Sequence, residues 1–466
     1  MGLKGRSFAL HPIPPPDLFS FEYRKLPYLA SDPASIMSLQ QETNGPLPQA
    51  DAAEPKKKLL YLAVCDPDLE VTGATVRMGA FVKHLAGFYD VSLVHMTGSG
   101  YRVDPEVESR FRDHDNRLGV ALRERVEFSQ PGYFLFSPEL YRKADRLLRN
   151  TRFDYLLADY GLAAVYGRIL ASRHRIPLIY CSMNVEYRMY LEQSRYDFRR
   201  ALLTPYVYWA ERSACRAARL VVAISENDRR EYEKWIPGEK IEVVPQGFEP
   251  ELSHPHYEPS PDARPVVLFV GNFRSEHNRQ AARKIVKDIL GPVAQARVDV
   301  KFQLVGASPP EDLKGPNVEC PGFVDDLAPY FRRANLVIAP MPFAHGMATK
   351  IICGLAFGKT VLTTPEGAGA IPRRYRQLVV APLDQFASKI LELLSTRPPV
   401  DDSQFELISE DFGWPSLISR LCQRIEHSCG KYGGSHLFSP ARIPATTRAK
   451  TADCPRISNC RRIVEL

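Results

Sequence analysis

The sequence predicts an α/β protein made of two doubly wound parallel sheets that face each other across a cleft. Short apolar runs alternate with longer amphipathic stretches along most of the chain, a pattern typical of βαβ units with helices on both faces of a sheet. The alternation stops once, at 249–265, where five of seventeen residues are proline. We therefore expect two Rossmann-like domains joined by this linker, with ligands bound beyond the carboxyl ends of the strands.

The first domain is expected at 59–248. Its apolar runs predict strands at 59–64, 90–96, 154–160, 177–183, 219–225 and 240–247. The amphipathic stretches between them predict helices at 74–87, 137–150, 161–174 and 205–218.

The second domain is expected at 266–411. Its apolar runs predict strands at 265–273, 300–306, 335–341, 360–365 and 377–382. Helices are predicted at 278–296, 325–333, 347–357 and 384–395.

Composition and charge place the chain among ordinary globular proteins. Its 466 residues are 44% hydrophobic and 25% charged, enough for two or three domains. Of the net charge of +7, residues 431–466 contribute +5 and residues 1–58 contribute +1. Because the body is nearly neutral, bulk charge does not support nucleic-acid binding. We expect the proline-rich segment 1–58 to be a disordered arm and 431–466 a basic, disordered tail.

Cysteine usage and hydropathy bear on the compartment. The nine cysteines include no CxxC pair and match no zinc spacing. The first residues lack the apolar core of a signal peptide, and no run of 18 apolar residues occurs. We expect a reduced, cytoplasmic protein.

The segment GMATKIICGLAFGKTVLTTPEGAGAI (346–371) is the most informative of the chain. It predicts a helix that starts in small residues at 346–349 and carries Lys350 in its first turn. Free amides at a helix start favour a phosphate or diphosphate, to which Lys350 would add a positive charge. An ordinary helix with a small-residue start explains the same pattern equally well.

Three other sequence features do not support the functions that such motifs usually indicate. Gly358, Lys359 and Thr360 resemble the end of a phosphate-binding loop, but they follow a predicted helix and precede a strand, which is the wrong order. No GxGxxG follows the first strand, so a dinucleotide cofactor is not expected. The pair Asp66 and Asp68 could hold a divalent cation, but acidic residues are common at strand ends and we expect no metal.

Two ordered sets of short motifs suggest a family. The second domain contains VVLFVGNF (266–273), HNRQA (277–281), GFVDD (322–326), an Ala-Pro pair (339–340) and the helix and strand of 350–361. The first domain contains TGATVR (72–77), MNVEYR (183–188), ERSACRAARLVVAIS (211–225) and VVPQGF (243–248). In this order and spacing, they resemble the GT-B glycosyltransferases of the group 1 type, also called family 4, over most of 59–427.

The resemblance implies transfer of a sugar from a nucleoside diphosphate sugar, bound by the second domain, to an acceptor on the first. It implies polysaccharide or glycoconjugate synthesis with a glycan or lipid-linked acceptor, no cofactor, no metal, and retention of anomeric configuration. Basic side chains and a helix start would stabilise the departing diphosphate instead of a metal. A helix at about 412–427 would return to cover the first domain.

The resemblance also assigns site residues. Donor contacts would come from Gly271, Asn272, Asn278, Phe323, Val324, Gly346, Met347, Ala348, Thr349, Lys350 and Glu366. Of these, Gly271, Asn272 and 346–350 would flank the diphosphate, and Phe323 and Val324 the base.

On the acceptor side the assigned residues are Gly73, Arg77 and Glu211, and the catalytic candidates are Lys350 and Glu186. The alternatives are ordinary ones. Arg77 would be a helix-surface residue, Glu186 and Glu211 solvated or paired helix residues, and Glu366 a turn residue.

Three positions depart from the family pattern. Cys353 stands where a glutamate normally holds the donor ribose, His345 replaces a second glutamate, and Met183 takes the place of a histidine. Losing a hydrogen bond to a charged group costs about 1.5 to 3 kcal/mol. Two interpretations follow: a divergent transferase with other donor contacts, or a catalytically degenerate GT-B scaffold or interaction protein.

The stretch 195–216 combines several arginines with Leu202, Tyr206 and Trp209. A basic, aromatic helix of this kind can lie on a membrane interface. A surface helix packed on its own domain is the alternative, which we favour.

Overall fold

The computed structural model describes residues 55–67, 73–97, 120–127, 137–194, 198–273, 276–296, 299–313, 315, 317–324, 326–341, 349–369 and 371–430. The predicted arm at 1–54 and tail at 431–466 lie outside these residues, so those expectations stay untested. The described chain contains two parallel sheets with helices, which confirms the predicted fold class.

The first sheet has seven strands in the order β3-β2-β1-β4-β5-β6-β7. They are β1 (Lys58–Ala63), β2 (Asp90–Thr97), β3 (Leu122–Glu127), β4 (Tyr155–Asp159), β5 (Leu178–Cys181), β6 (Leu220–Ala223) and β7 (Ile241–Val243). The second sheet has six strands in the order β10-β9-β8-β11-β12-β13. They are β8 (Val266–Val270), β9 (Lys301–Val305), β10 (Val318–Gly322), β11 (Leu336–Ala339), β12 (Val361–Thr363) and β13 (Leu378–Val380).

Helices connect the strands of both sheets. Those of the first half are α1 (Gly73–Phe88), α2 (Pro138–Asn150), α3 (Gly161–His174), α4 (Glu186–Gln193), α5 (Phe198–Ala217) and α6 (Glu226–Tyr232). Those of the second half are α7 (Glu276–Lys284), α8 (Leu290–Gln295), α9 (Ala328–Arg333), α10 (Thr349–Ala356), α11 (Phe386–Thr396), α12 (Phe405–Phe412) and α13 (Trp414–Cys429). Among the described helices, none combines the length and apolar character needed to cross a bilayer.

The burial of the central strands explains why apolar runs in the sequence identified the two sheets. β1 is buried at every position after Lys58, and β8 is buried throughout, because helices cover both faces. Strands of this kind read as continuous apolar runs. The strand order turns back beside β1 and beside β8, so the carboxyl ends of these strands and their neighbours form crevices in which ligands bind in doubly wound folds.

Several predicted elements were wrong or missed, for identifiable reasons. The strands β3 and β10 lie at sheet edges, where charged residues such as those of LRERVE are tolerated, so neither shows an apolar run. The single helix predicted at 278–296 is divided by a π-helical turn at Ile285–Ile289. The helix predicted at 205–218 begins earlier, at Phe198, and contains Pro205.

The last helix, α13, packs on the first sheet. Trp414, Leu417 and Ile425 belong to the apolar core of that sheet. The chain crosses between the two halves twice, and the crossings are hydrogen-bonded: the Phe248 amide donates to the Phe412 carbonyl, and the Trp414 amide to the Phe248 carbonyl, both at 3.0 Å.

Candidate functional site

A small cavity opens at the carboxyl ends of three neighbouring strands, β8, β9 and β10. It is lined by Val270, Asn272, Gly306, Ala307, Phe323, Val324 and Leu327. The parallel arrangement places the loops after these strands at one edge of the sheet. The structure thus brings together Asn272, Phe323 and Val324, three of the predicted donor contacts. The ring of Phe323 is apolar yet 45% exposed.

Two glycines allow the loops to approach each other. Gly306 has a φ of +148°, and a Cβ added there would lie 1.9 Å from the carbonyl oxygen of Gly271. A Cβ added at Gly271 would lie 2.8 Å from Cγ of Asn278. Gly271 is therefore needed for close packing against Asn278. Gly306 was not among the residues predicted from the sequence, although its position at the end of the apolar run VKFQLVG was a usable signal.

Asn278 joins the cavity loop to Lys350. Its Nδ2 donates to the Asn272 carbonyl at 2.9 Å, and its Oδ1 accepts from Nζ of Lys350 at 2.7 Å. Asn278 and Lys350 are each only 5% exposed. The ammonium also lies 4.5 Å from the centre of the Phe269 ring. Both predicted residues thus lie in one buried, hydrogen-bonded group beneath the cavity loop.

Burial governs the charge of Lys350. It lowers the pKa of the ammonium to about 7, because the charged form loses its hydration. Lys350 is the second residue of α10, whose described part begins at Thr349. The predicted contacts Gly346, Met347 and Ala348 lie outside the described residues, as does His345.

The other residues of the 346–371 segment divide into core and surface. Cys353 is 3% exposed within an apolar cluster, and burial raises the pKa of its thiol to about 12. A neutral, buried thiol cannot act as the charged group that a glutamate would supply. Glu366 is exposed on the turn after β12, at the same sheet edge as the cavity. Lys359 donates to the carbonyls of Arg332 and Pro399, both at 3.0 Å, and so has a structural role.

In the first half of the chain, Arg77 of α1 is a buried residue and not a surface one. It is fully buried, and its two Nη atoms donate to the carbonyls of Pro245 (2.8 Å) and Val244 (2.7 Å). Its guanidinium lies 4.5 Å from the centre of the Phe81 ring. The interpretation of Arg77 as a helix-surface residue was therefore wrong, because a chain segment 167 residues later covers it. Gly73 begins the same helix, α1.

Glu211 caps a helix. Its carboxylate accepts from the backbone amides of Glu186 and Tyr187, both at 3.0 Å, at the start of α4. It also accepts from the Tyr232 hydroxyl at 2.8 Å. It is 1% exposed, so of the two ordinary alternatives, a solvated or a paired helix residue, the solvated one was wrong. Burial raises the pKa of Glu211 to about 7, although these hydrogen bonds act to lower it.

Glu186 differs from Glu211 in having spare hydrogen-bonding capacity. It is 4% exposed, and its Oε1 has no hydrogen-bond partner. Burial, and then the negative charge of Glu211, raise its pKa well above the ordinary value. A Cβ added at Gly161, the first residue of α3, would lie 3.0 Å from Cγ of Glu186. Glu186 therefore lies where the loops after β4 and β5 meet.

Asp159, the last residue of β4, was also not among the residues predicted from the sequence. It is fully buried and accepts from the Tyr61 hydroxyl, while its Oδ1 has no partner. Burial raises its pKa to about 6. The next residue, Tyr160, has a φ of +78°, which is uncommon outside glycine. An acidic residue directly after the apolar run YLLA was the available signal.

Comparison with known proteins gives two family matches and many structural ones. Residues 71–252 match the family described as Glycosyltransferase Family 4, and residues 264–396 match Glycosyl transferases group 1. No curated protein matches the sequence significantly.

The similar solved structures share the fold at low identity. Sucrose-phosphate synthase from Thermosynechococcus elongatus has a TM-score of 0.60 and 17% identity, over 80% of this chain and 99% of that chain. HepE from Anabaena, solved with UDP and glucose, has a TM-score of 0.56 and 15% identity, over 80% and 100%. The lipopolysaccharide outer core galactosyltransferase WaaB has a TM-score of 0.55 and 10% identity, over 79% and 99%. With both halves of the fold matched by the family models, the chain belongs to the group 1, family 4 glycosyltransferases of the GT-B type.

Proposed function

We propose that the protein transfers a sugar from a nucleoside diphosphate sugar to a glycan or lipid-linked acceptor, in the cytoplasm. The observation that carries the proposal is the meeting of Asn272, Phe323 and Val324 in one cavity, above the buried pair of Asn278 and Lys350. HepE, a protein of the same fold, was solved in complex with UDP-glucose, which supports a uridine nucleotide as the first donor to test.

The donor would bind through a base contact and a diphosphate contact. The half-exposed ring of Phe323 offers a face for the base, and stacking on an aromatic ring is worth about 1 to 3 kcal/mol. Asn272, Thr349 and Lys350 would flank the diphosphate, together with Gly346, Met347 and Ala348. A diphosphate beside Nζ of Lys350 would favour the charged ammonium, which in turn would stabilise the leaving group.

We further propose that transfer needs no resident metal and retains the anomeric configuration. In the described residues, no three His, Cys, Asp or Glu side chains are grouped to hold a metal ion, and the proposal of metal independence itself rests on the family resemblance. Asp66 pairs with Arg123 at 2.7 Å, and Asp68 is outside the described residues. Retention rests on the family resemblance alone.

On the acceptor side, the proposal gives a role to Glu186. Burial and the negative charge of Glu211 raise the pKa of Glu186 and so favour its protonated carboxyl, which can donate a hydrogen bond. Its unpartnered Oε1 is available to an acceptor hydroxyl. Glu366, on the exposed turn after β12, is proposed to contact the donor sugar.

The rival function is that of a catalytically degenerate GT-B scaffold or interaction protein that has lost donor-ribose contacts. It is favoured by Cys353, which is buried among apolar side chains and cannot hold ribose hydroxyls as a carboxylate would. The transferase predicts nucleotide binding with turnover, whereas the rival predicts weakened nucleotide binding and no turnover.

The test is a panel of nucleotide sugars, measured by thermal shift and by release of nucleoside diphosphate. A ligand at about 100 times its Kd stabilises the fold by about 2.7 kcal/mol, a readily measured shift. Phe323→Ala should weaken binding by about tenfold. Phe88→Ala is the matched control, because Phe88 is 43% exposed on α1. Binding without release would favour the scaffold, and neither binding nor release with any donor would overturn the transferase.

A further inference from the structure

One helix of the first domain carries an exposed apolar stripe. On α5, Phe198 is 75% exposed, Leu202 64%, Trp209 54% and Tyr206 38%. At about 100° per residue these four side chains fall within an arc of about 80°. Among the described residues, five of the ten large apolar side chains with substantial exposure lie on this helix. The stripe is thus a concentrated feature and not ordinary scatter.

The stripe continues into basic side chains along the same face. Arg212 and Arg216 follow Trp209 by three and seven positions, which are helical spacings. The only acidic residue of α5 is Glu211, which is 1% exposed and caps α4. The exposed face of α5 therefore carries apolar and positively charged groups and no acidic one.

A basic groove adjoins the end of the stripe. This groove of about 550 Å³ is lined by five cationic residues, Arg168, Arg175, Arg216, Arg219 and Lys240, and by no aspartate or glutamate. It lies at the amino ends of β5, β6 and β7, the sheet edge opposite the carboxyl ends. The guanidinium of Arg168 lies 5.8 Å from the centre of the Trp209 ring, so groove and stripe form one continuous surface.

We propose that the α5 stripe and the basic groove together dock on an anionic phospholipid bilayer. Aromatic rings with a polar edge favour the bilayer interface, apolar side chains gain by burial in it, and arginines are attracted to anionic headgroups. Nucleic acid would need only the groove and would leave the apolar stripe unexplained. Arginines at helix ends can also stabilise the helix dipole, but that effect accounts for neither Phe198 nor Leu202.

Docking would bring the proposed transferase to its acceptor. The biological role of docking therefore rests on the proposed function, but the docking itself does not. A lipid-linked acceptor lies in the bilayer, so a docked enzyme meets it by diffusion in two dimensions. Only the groove lies at the end of the first sheet opposite Glu186, because α5 passes beside Glu186, whose amide donates to Glu211 of that helix. The cavity proposed to bind the nucleotide is formed instead by loops of the second sheet. Vesicle binding can therefore be measured separately from nucleotide binding.

The experiment is vesicle co-sedimentation of the full chain. One set of vesicles contains phosphatidylcholine alone, and the other contains equal parts of phosphatidylcholine and phosphatidylglycerol. The F198S/L202S pair removes the apolar contact, and R216A/R219A removes charge. The matched control combines F88S and K287E, because Phe88 and Lys287 are exposed away from this surface.

We expect the wild type to bind the anionic vesicles, with affinity falling as salt rises. F198S/L202S should lower the partition constant by at least about tenfold. R216A/R219A should lower it by about thirtyfold on anionic vesicles only. The control pair should bind as the wild type does.

Absence of vesicle binding by the wild type, equal binding to neutral vesicles, or binding unaffected by either pair would overturn the proposal. Dimerisation of the wild type that F198S/L202S abolishes, without vesicle binding, would show instead that the stripe is a protein interface. The melting temperature shows whether each variant folds, and either pair suffices if the other does not fold. A variant that loses vesicle binding but keeps its nucleotide-induced thermal shift separates this proposal from the proposed function.

Discussion

The Nζ of Lys350 lies 2.7 Å from Oδ1 of Asn278, a residue 72 positions earlier in the chain. The two side chains come from helices that follow β8 and β11, which are neighbours in the second sheet. Asn278 in turn donates to the carbonyl of Asn272, which lines the cavity. A buried cation that titrates near neutral pH is thereby coupled to the loop proposed to hold the donor diphosphate.

Replacing Lys350 with methionine should impair donor use more than folding. Loss of a charge-assisted contact to the diphosphate costs about 1.5 to 3 kcal/mol, so kcat/KM should fall by about tenfold to 150-fold. The melting temperature should change little, because removal of a buried ammonium offsets the lost hydrogen bond.

The matched control is Lys359→Met, since Lys359 is equally buried and burial lowers its pKa to about 7 as well. It should leave donor affinity intact while destabilising the fold by about 1 to 3 kcal/mol, because its carbonyl partners lose their donor. Urea unfolding and steady-state kinetics on both variants check this pattern. Equal kinetic losses in the two would contradict a specific role for Lys350.

Donor binding should depend on pH. In the free protein the pKa of Lys350 is about 7, against an ordinary value of 10.5. Between these values the unfolded chain holds a proton that the folded chain lacks, so the free energy of unfolding rises with pH. A bound diphosphate favours the ammonium, so binding above about pH 7 takes up a proton and affinity falls by up to about tenfold per pH unit.

Calorimetric titration with a nucleotide sugar in two buffers of different ionisation enthalpy measures this uptake. Wild-type affinity that stays constant up to about pH 9 would disprove the linkage, and Lys350→Met should show no uptake.

Substitutions of Glu186 and Glu211 should affect different properties, turnover in the first case and stability in the second. Glu186→Gln keeps the shape and removes the titrating group, so kcat should fall while the donor Kd and the melting temperature stay close to those of the wild type. Glu211→Ala removes a cap that satisfies two amides and should cost about 1 to 3 kcal/mol of stability. Transfer assays with calorimetric melting of both variants provide the comparison. A fully active Glu186→Gln variant would remove Glu186 from the proposal.

Gly306 and Gly322 should tolerate alanine differently. Both have positive φ, +148° and +80°, so each substitution strains the backbone. An added Cβ at Gly306 would also collide with the Gly271 carbonyl, whereas at Gly322 nothing lies within 4 Å. We expect Gly306→Ala to cost about 2 to 4 kcal/mol and to weaken nucleotide binding. Gly322→Ala should cost about 1 to 2 kcal/mol. Denaturant unfolding measures both, and equal losses would contradict the packing argument.

The residues of the proposed donor site lie in short local motifs, so the sequence could place some of them near one another. Asn272 lies two residues after β8, and Asn278 is the third residue of the next helix, so sequence order places both at the same sheet edge. The contact of Asn278 with Lys350 could not be predicted, since it depends on which strands become neighbours. The burial of Cys353 also depends on helix rotation against the sheet, which the short segment 346–357 did not specify.

The sequence by itself determined the fold class and the two parallel sheets. Each follows from local patterns, because buried parallel strands are continuous apolar runs and helices show their own period. Only the tertiary structure decided the surroundings of the charged residues. The sequence suggested that Arg77, Glu211 and Lys359 were surface or motif residues. All three are buried, and each forms hydrogen bonds with residues distant in the chain. The free energy of a charged group depends on its desolvation and its partners, and both are set by segments that fold over it.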